Sequence, residues 1–362
     1  QFLILVGDAG FGKSRLITEA IARIIQHNSI QRVYGASASY SKNFSYFLLQ
    51  NLIKYALGVS ENTPHDEIQL RLREKLNQMP KLNRDILGKR LEYLLFQSTE
   101  ATDLRLLAPE QLQQQIFKSV AEFLIYHAEN LPLFILIDDL QWCDRLSLEW
   151  FQFLQGYIRD NHPKMPLFVC TTSRQEGKTF FQNFPMDWCH EMALNPLTDS
   201  ESHALMNAIL ETEQTSPQIK VLYDKIVASA KGNPYYIEEV LKSLLANDIL
   251  IQDKGEWLLT KSVKKLPLPN SLHNLIVTRF DNLTYQERTL LQVASVMGKE
   301  FSYKLLHRLY DNKQKELTPL LETLVTNGFL TKKWVDGDYE FSFSQELTKE
   351  VIYGTLLHKR RT

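Results

Sequence analysis

Residues Val6 to Arg15 read VGDAGFGKSR and contain the pattern G-x-x-x-x-G-K-S. The glycines allow the chain to wrap closely, so that backbone N–H groups point at a phosphate. The lysine reaches the β- and γ-phosphates, and the serine hydroxyl is placed to hold Mg²⁺. The stretch therefore predicts a phosphate-binding loop. Its candidate nucleotide-binding residues are Gly7, Asp8, Ala9, Gly10, Phe11, Gly12, Lys13, Ser14 and Arg15.

The sequence on both sides of the loop has the strand and the helix that this motif requires. Phe2 to Val6 is a short apolar run, typical of a buried parallel strand. From Ser14 onward, apolar residues recur at helical spacing, and such a helix points the positive end of its dipole at the loop. Apolar runs at Val33–Ala36 and Leu167–Thr172 alternate with further helical patterns. We predict an α/β P-loop NTPase fold, a parallel sheet with helices on both faces.

Charged residues follow two of the predicted strands. Asp138 and Asp139 end the apolar run LPLFILIDD, and Arg174 ends the next strand at Thr-Thr-Ser-Arg. Ligands of open α/β folds bind at the carboxyl ends of the strands. We expect Asp138 to hold Mg²⁺ through water, Asp139 to orient or deprotonate the attacking water, and Arg174 to sense the γ-phosphate. The predicted catalytic residues are Lys13, Asp138, Asp139 and Arg174, and the predicted metal ligands are Ser14 and Asp138.

The pattern along the chain predicts three domains. Residues 1–195 form the α/β domain, with a polar helical insertion near 62–107, and residues 196–262 form a helical lid that carries Lys-Gly-Asn-Pro at 231–234. In residues 266–362, Thr284 and Glu287 form a capping box, and Asp336-Gly337 is a strong hairpin signal between two apolar runs. Helices, a two-stranded wing and a closing helix predict a winged-helix domain.

Composition narrows the classes of partner. The 362 residues are 44% hydrophobic and 23% charged, with a formal net charge of −1. This balance gives no electrostatic reason to expect nucleic acid or an anionic membrane, and no apolar run approaches the roughly 18 residues of a membrane span. Three cysteines without a metal or disulfide framework favour the reducing cytoplasm. Because the chain opens directly on a strand, without Met, we expect an internal piece of a longer protein.

Taken together, the motifs resemble the STAND-type signal-transduction ATPases, and especially the AAA-like module beside class III adenylate/guanylate cyclases, in large kinases and in large LuxR-type regulators. The resemblance rests on GDAGFGKSRL, LFILIDDLQWCDRLSLE, TTSR, GNPYYIEEVLKSLL and FSFSQELTKEVIYGTLL, and it covers nearly the whole chain. It implies ATP/ADP with Mg²⁺ as the cofactors. It also implies that Pro234 contacts the adenine, and that an output domain and C-terminal helical repeats accompany this module in the full-length protein.

The chain departs from the family pattern in two ways. Relatives commonly have a histidine in the winged-helix motif where this chain has Gln345. The family resemblance implies that this histidine helps to hold the closed, diphosphate-bound state. Glutamine can donate a hydrogen bond but carries no charge, so we expect this chain to hold that state less tightly. The family's adenine-binding segment before the first strand is also absent, which is consistent with truncation.

Two other classes of function remain as alternatives to the switch. One is an origin-recognition-type AAA+ ATPase whose winged helix binds DNA. Residues 267–362 contain 13 Lys+Arg and 11 Asp+Glu, whereas a DNA-reading wing is usually more basic. The other is a small-molecule kinase, for which the helical insertion and the C-terminal domains have no use. The sequence favours a slow, regulatory ATPase.

Overall fold

The main sheet has five strands, four of which are the predicted apolar runs. All neighbouring strands pair in parallel, in the order β2-β3-β4-β1-β5. Val6 lies opposite Ser173, and Ala36 lies opposite Asp138, so the carboxyl ends of the strands share one edge. The parallel α/β sheet is therefore confirmed. The strands are β1 (Phe2–Val6), β2 (Gln31–Ala36), β3 (Leu133–Asp138), β4 (Leu167–Ser173) and β5 (Cys189–Ala193).

The computed structural model divides into two compact units. The first contains Gln1–Asp8 and Lys13–Leu194, and the second contains Ala9–Gly12 and Asn195–Thr362. The described residues are all except 38–40, 60–62, 81–83, 97–103, 105, 129–130, 175–188, 213–215, 254, 264–265, 267, 311–316, 336–337 and 357–362.

Helices cover both faces of the sheet in the first unit. Phe2, Ile4 and Val6 of β1 belong to one core, whereas Leu5 belongs to another, as the two-residue period of a strand requires. Five helices contribute to the first core, and α1 packs on the opposite face through Ile17 and its neighbours. The helices are α1 (Lys13–His27), α2 (Phe47–Ala56), α3 (His65–Asn77), α4 (Arg84–Phe96), α5 (Pro109–Ala128) and α6 (Arg145–Asn161).

The segment near 62–107 is helical, as predicted, and its apolar side belongs to the main core. Leu72 and Leu76 of α3 and Leu87 and Leu91 of α4 are buried with the residues under the sheet. Burial of a leucine side chain stabilises a fold by about 1.5–3 kcal/mol, so these two helices support the nucleotide domain directly. Residues 62, 81–83, 97–103 and 105 of this segment lie outside the described part.

The second unit begins with three helices and a hairpin. The break between α8 and α9 falls at Lys231 and Gly232, which both have positive φ, and Pro234 is the first residue of α9. A left-handed residue commonly ends a helix, and proline is favoured at the first position of the next one. The elements are α7 (Asp199–Ile209), α8 (Pro217–Ala230), α9 (Pro234–Ala246), β6 (Leu250–Asp253) and β7 (Glu256–Leu259).

The remainder of this unit has the predicted order of helices, paired strands and a closing helix. Thr284 and Glu287 form both hydrogen bonds of the predicted capping box. A short strand at Glu300–Ser302 adds a third member to the predicted pair, in the order β8-β10-β9, while the turn at 336–337 lies outside the described residues. The elements are α10 (Leu272–Asp281), α11 (Tyr285–Met297), β8 (Glu300–Ser302), α12 (Tyr303–Leu309), α13 (Leu317–Thr326), β9 (Leu330–Val335), β10 (Asp338–Phe343) and α14 (Glu346–Gly354).

The domain boundaries and the winged-helix identity of the last segment are predictions from the sequence. The predicted boundaries lie at 195/196 and 262/266.

Among the described residues, none of the helices combines the length and the apolar character needed to cross a membrane.

Candidate functional site

The loop between β1 and α1 has the backbone that its glycines predict. The amide of Gly7 donates to the carbonyl of Ser173 at 3.1 Å, which ties the start of the loop to the end of β4. Gly10 and Gly12 have φ values of 84° and 85°, in the left-handed region where a side chain is costly. The helix then begins at Lys13, so its first amides face the loop.

Lys13 is folded back into the loop. Its Nζ donates to the carbonyl of Gly7 at 2.7 Å and to that of Asp8 at 3.0 Å, and its side chain is only 8% exposed. Burial lowers the pKa of Lys13; nearby Asp139 raises it, and Arg174 lowers it further. A buried ammonium with backbone carbonyls as its partners is a centre of positive charge that a phosphate would compensate.

Ser14 and Asp138 meet although 124 residues separate them in the sequence. The Ser14 hydroxyl lies 3.3 Å from Oδ1 and 3.2 Å from Oδ2 of Asp138. The hydroxyl of Thr172, on β4, donates to Asp138 Oδ1. Asp138 is buried, and Ser14 is exposed at the start of α1. A hydroxyl and a carboxylate side by side are the hard oxygen ligands that suit Mg²⁺.

Asp139 and Arg174 lie at the ends of neighbouring strands and share one neighbour. Asp139 has a φ of 56°, and its amide donates to the Thr172 hydroxyl at 2.8 Å. Gln141 donates through Nε2 to Asp139 Oδ1 at 2.8 Å and accepts from the Arg174 amide at 3.1 Å. The Arg174 guanidinium lies 6.0 Å from the ring centre of Trp142. The geometry thus brings Asp139 and Arg174 to the same sheet edge as Lys13.

The second unit includes the tip of the loop. The side chain of Asn233 donates to the carbonyl of Ala9 at 2.9 Å, and the amide of Tyr235 donates to that of Gly10 at 3.2 Å. Asn233 also caps α9 by accepting from the amide of Tyr236 at 3.1 Å. Pro234 lies between these contacts, in the first turn of α9.

The other predicted residues are placed as follows. Phe11 is half-buried in the loop, and Arg15 is exposed in the first turn of α1. Gln345 precedes α14 and makes no side-chain capping bond. The structure adds Thr172, Gln141 and Asn233, which lie inside the quoted motifs but whose partners are distant in sequence. Among the described residues, no group of three or more His, Cys, Asp or Glu could hold a metal ion.

Comparison with known sequences gives one family match and several distant relatives. Residues 1–169 match the family described as the AAA ATPase domain. An uncharacterized protein of Rhizobium meliloti (strain 1021) is 23% identical over 372 residues, which cover 99% of this chain and 33% of that protein. Rat adenylate cyclase type 10 is 23% identical over 429 residues, which cover 100% of this chain and 24% of the cyclase. The chain thus spans between a quarter and a third of these relatives' length.

Solved structures can be aligned with nearly the whole of this chain. A signal transduction ATPase with numerous domains (STAND) protein with a tetratricopeptide repeat sensor, from Pyrococcus horikoshii, aligns with a TM-score of 0.53 at 16% identity, over 99% of this chain and 41% of that chain. Cdc6p from Pyrobaculum aerophilum aligns over 98% of this chain and 88% of that chain with a TM-score of 0.39 at 14% identity. Residues 1–169 thus match an AAA ATPase domain, and the chain shares the fold of the aligned part of the Pyrococcus horikoshii protein.

Proposed function

We propose that this chain is an ATP-hydrolysing switch module of a larger signalling protein. One observation carries the proposal: the Ser14 hydroxyl meets both oxygens of Asp138 at the sheet edge beside the buried ammonium of Lys13. This is the arrangement needed to bind a triphosphate together with a divalent cation. The match of residues 1–169 to the AAA ATPase domain supports the same chemistry.

Each predicted residue has a role in this proposal. The amides of residues 7–15 and the ammonium of Lys13 bind the phosphates, and Ser14 and Asp138 hold Mg²⁺, whose charge stabilises the transferring phosphoryl group when it is bound. Asp139 orients the attacking water, and Arg174 neutralises charge on the γ-phosphate. Pro234 contacts the adenine, as the family resemblance implies. Mg²⁺ keeps several waters and substrate oxygens as ligands, so a site with few protein ligands fits this ion.

The regulatory part of the proposal concerns the difference between ATP and ADP. A ligand shifts a conformational equilibrium only as far as its contacts differ between the two states. The γ-phosphate supplies that difference at Lys13, Arg174 and Mg²⁺. Slow hydrolysis would then reset the switch. The attached output domain is proposed to be a cyclase, a kinase or another regulator, because adenylate cyclase type 10 is among the relatives that contain a segment similar to this chain.

The test measures nucleotide binding and turnover in two variants. Lys13→Ala is expected to weaken binding of a fluorescent ATP analogue by about ten- to a hundred-fold, because a charge-assisted hydrogen bond is worth about 1.5–3 kcal/mol. Asp138→Asn is expected to lower Mg²⁺-dependent phosphate release by a similar factor. The matched controls are Lys118→Ala and Asp85→Asn, whose side chains are 52% and 92% exposed. If Lys13→Ala and Asp138→Asn bind and hydrolyse ATP like the wild type, the assignment of these residues to the nucleotide site is wrong.

A further inference from the structure

Gln141 lies two residues after the acidic pair, in the 3₁₀ turn Leu140–Trp142, and is 7% exposed. Both ends of its amide are used: Nε2 donates to Asp139 Oδ1, and Oε1 accepts from the Arg174 amide. A carboxylate only accepts and a backbone amide only donates. If the oxygen and nitrogen of the Gln141 amide exchanged places, both hydrogen bonds would be lost. The partners therefore fix Nε2 toward Asp139 and Oε1 toward the Arg174 amide.

These bonds join the ends of β3 and β4. Thr172 makes a parallel connection, because its hydroxyl accepts from the Asp139 amide and donates to Asp138. The backbone of Asp139 is thus held by Thr172, and its carboxylate is held by Gln141. Asp139 also has a left-handed φ of 56°, a conformation that a non-glycine residue keeps only where its surroundings impose it.

We propose that Gln141 is a positioning residue for ATP hydrolysis, which holds the Asp139 carboxylate and the Arg174 backbone in the arrangement that the reaction requires. The inference rests on the proposed function above and adds a residue to it. Gln141 acts through Asp139 and Arg174 and is not itself assigned a contact with nucleotide. A carboxylate that must orient water gains from a fixed geometry, because catalysis by a misplaced group falls steeply with distance.

The experiment compares Gln141→Leu and Gln141→Glu with the wild-type chain. Leucine removes both hydrogen bonds. Glutamate keeps an acceptor for the Arg174 amide but places a second carboxylate beside Asp139. For both variants we expect kcat to fall roughly 10- to 100-fold, while the affinity for a non-hydrolysable ATP analogue stays within about threefold of wild type. Gln155→Leu, at another buried glutamine on α6, is the matched control and should keep wild-type kcat.

A double-mutant cycle with Asp139→Asn separates positioning from general loss of structure. If Gln141 acts through Asp139, adding Gln141→Leu to Asp139→Asn should lower kcat by less than about threefold further. Unchanged kcat in the single Gln141 variants would overturn the inference. So would a parallel loss of kcat and analogue affinity, or effects of the two substitutions that multiply. A wild-type chain that binds no ATP would instead overturn the proposed function, and the inference with it.

Discussion

At the scale of single residues, Gly232 occupies a position where conformation and space both exclude a side chain. Its φ is +72°, and a Cβ there would lie 2.5 Å from the carbonyl oxygen of Leu197 and 2.6 Å from Cβ of Pro196. The Leu197 amide donates to the Gly232 carbonyl at 2.9 Å, which keeps the two segments together. The glycine of the Lys-Gly-Asn-Pro turn is thus required by the packing of the turn that precedes α9.

Gly232→Ala is therefore expected to destabilise the protein strongly. The left-handed conformation alone costs an alanine about 1–2 kcal/mol, and the clash with backbone atoms adds about 1–3 kcal/mol. Gly255→Ala is the matched control, because its φ is +87° but nothing lies within 4 Å of the added Cβ. Urea unfolding should give a larger loss for Gly232→Ala than for Gly255→Ala. Equal losses would show that the close approach of Leu197 is unimportant.

At the scale of secondary-structure elements, Asp144 supports two helices at once. Its Oδ1 accepts from the amides of Ser147 and Tyr46 at 3.0 Å and 2.9 Å, which caps α6 and holds the residue before α2. Its Oδ2 accepts from the amide of Leu48 at 3.4 Å. Asp144 is 2% exposed, so water has little access to these three amides if the carboxylate is removed. Helix capping therefore explains Asp144, the next acidic residue after Asp138 and Asp139.

Asp144→Ala should lower the free energy of unfolding by about 3 kcal/mol. The lost helix cap accounts for about 1 kcal/mol, and the amides left buried without an acceptor account for the rest. Asp144→Asn keeps one side-chain oxygen, which can still accept from Ser147 and Tyr46, so it should cost clearly less. Urea unfolding of both variants measures the difference. The capping role fails if alanine and asparagine are equally destabilising.

At the scale of the whole molecule, charged and polar contacts join the successive parts of the second unit. Arg279 of α10 pairs with Glu239 of α9, donates to the carbonyl of Asn327, and lies 4.7 Å from the ring centre of Phe329. Glu239 is 1% exposed, and burial lowers the pKa of Arg279. The Tyr235 hydroxyl lies 3.0 Å from that of Thr348 on α14. The helices predicted as a lid are thus bonded to the segment predicted as a winged helix.

The Arg279–Glu239 pair should behave as a coupled buried ion pair. Arg279→Met and Glu239→Gln should each lower the free energy of unfolding by about 2 kcal/mol or more, because each leaves the partner's charge buried. The double variant should lose at least about 1 kcal/mol less than the sum of the two. Arg159→Met and Asp160→Asn, at an exposed ion pair, should change the free energy of unfolding little, because water screens the charges. Additive effects at Arg279 and Glu239 would contradict the coupling.

Apolar runs, helical spacing and capping residues in the sequence predicted much of the fold and the strands and loop that carry the candidate site. The apolar runs predicted β1 to β4, the helical spacing from Ser14 predicted α1, and the capping box of Thr284 and Glu287 predicted the start of α11. The strands that escaped prediction are β5 and β8. β5 is a mostly exposed edge strand with the sequence CHEMA, and β8 has only three residues, so neither has the apolar alternation by which strands are recognised.

The sequence by itself determined the phosphate loop, the acidic pair and the sheet, because glycine conformations, helix starts and buried strands depend on neighbours only a few residues apart. The contacts between distant side chains at the candidate nucleotide site depend on the tertiary structure. Ser14 meets Asp138 across 124 residues, and Gln141 meets Arg174 across 33. Such partners are selected by which strands lie side by side in the sheet. That order arises from packing on both faces of the sheet, which no local spacing encodes.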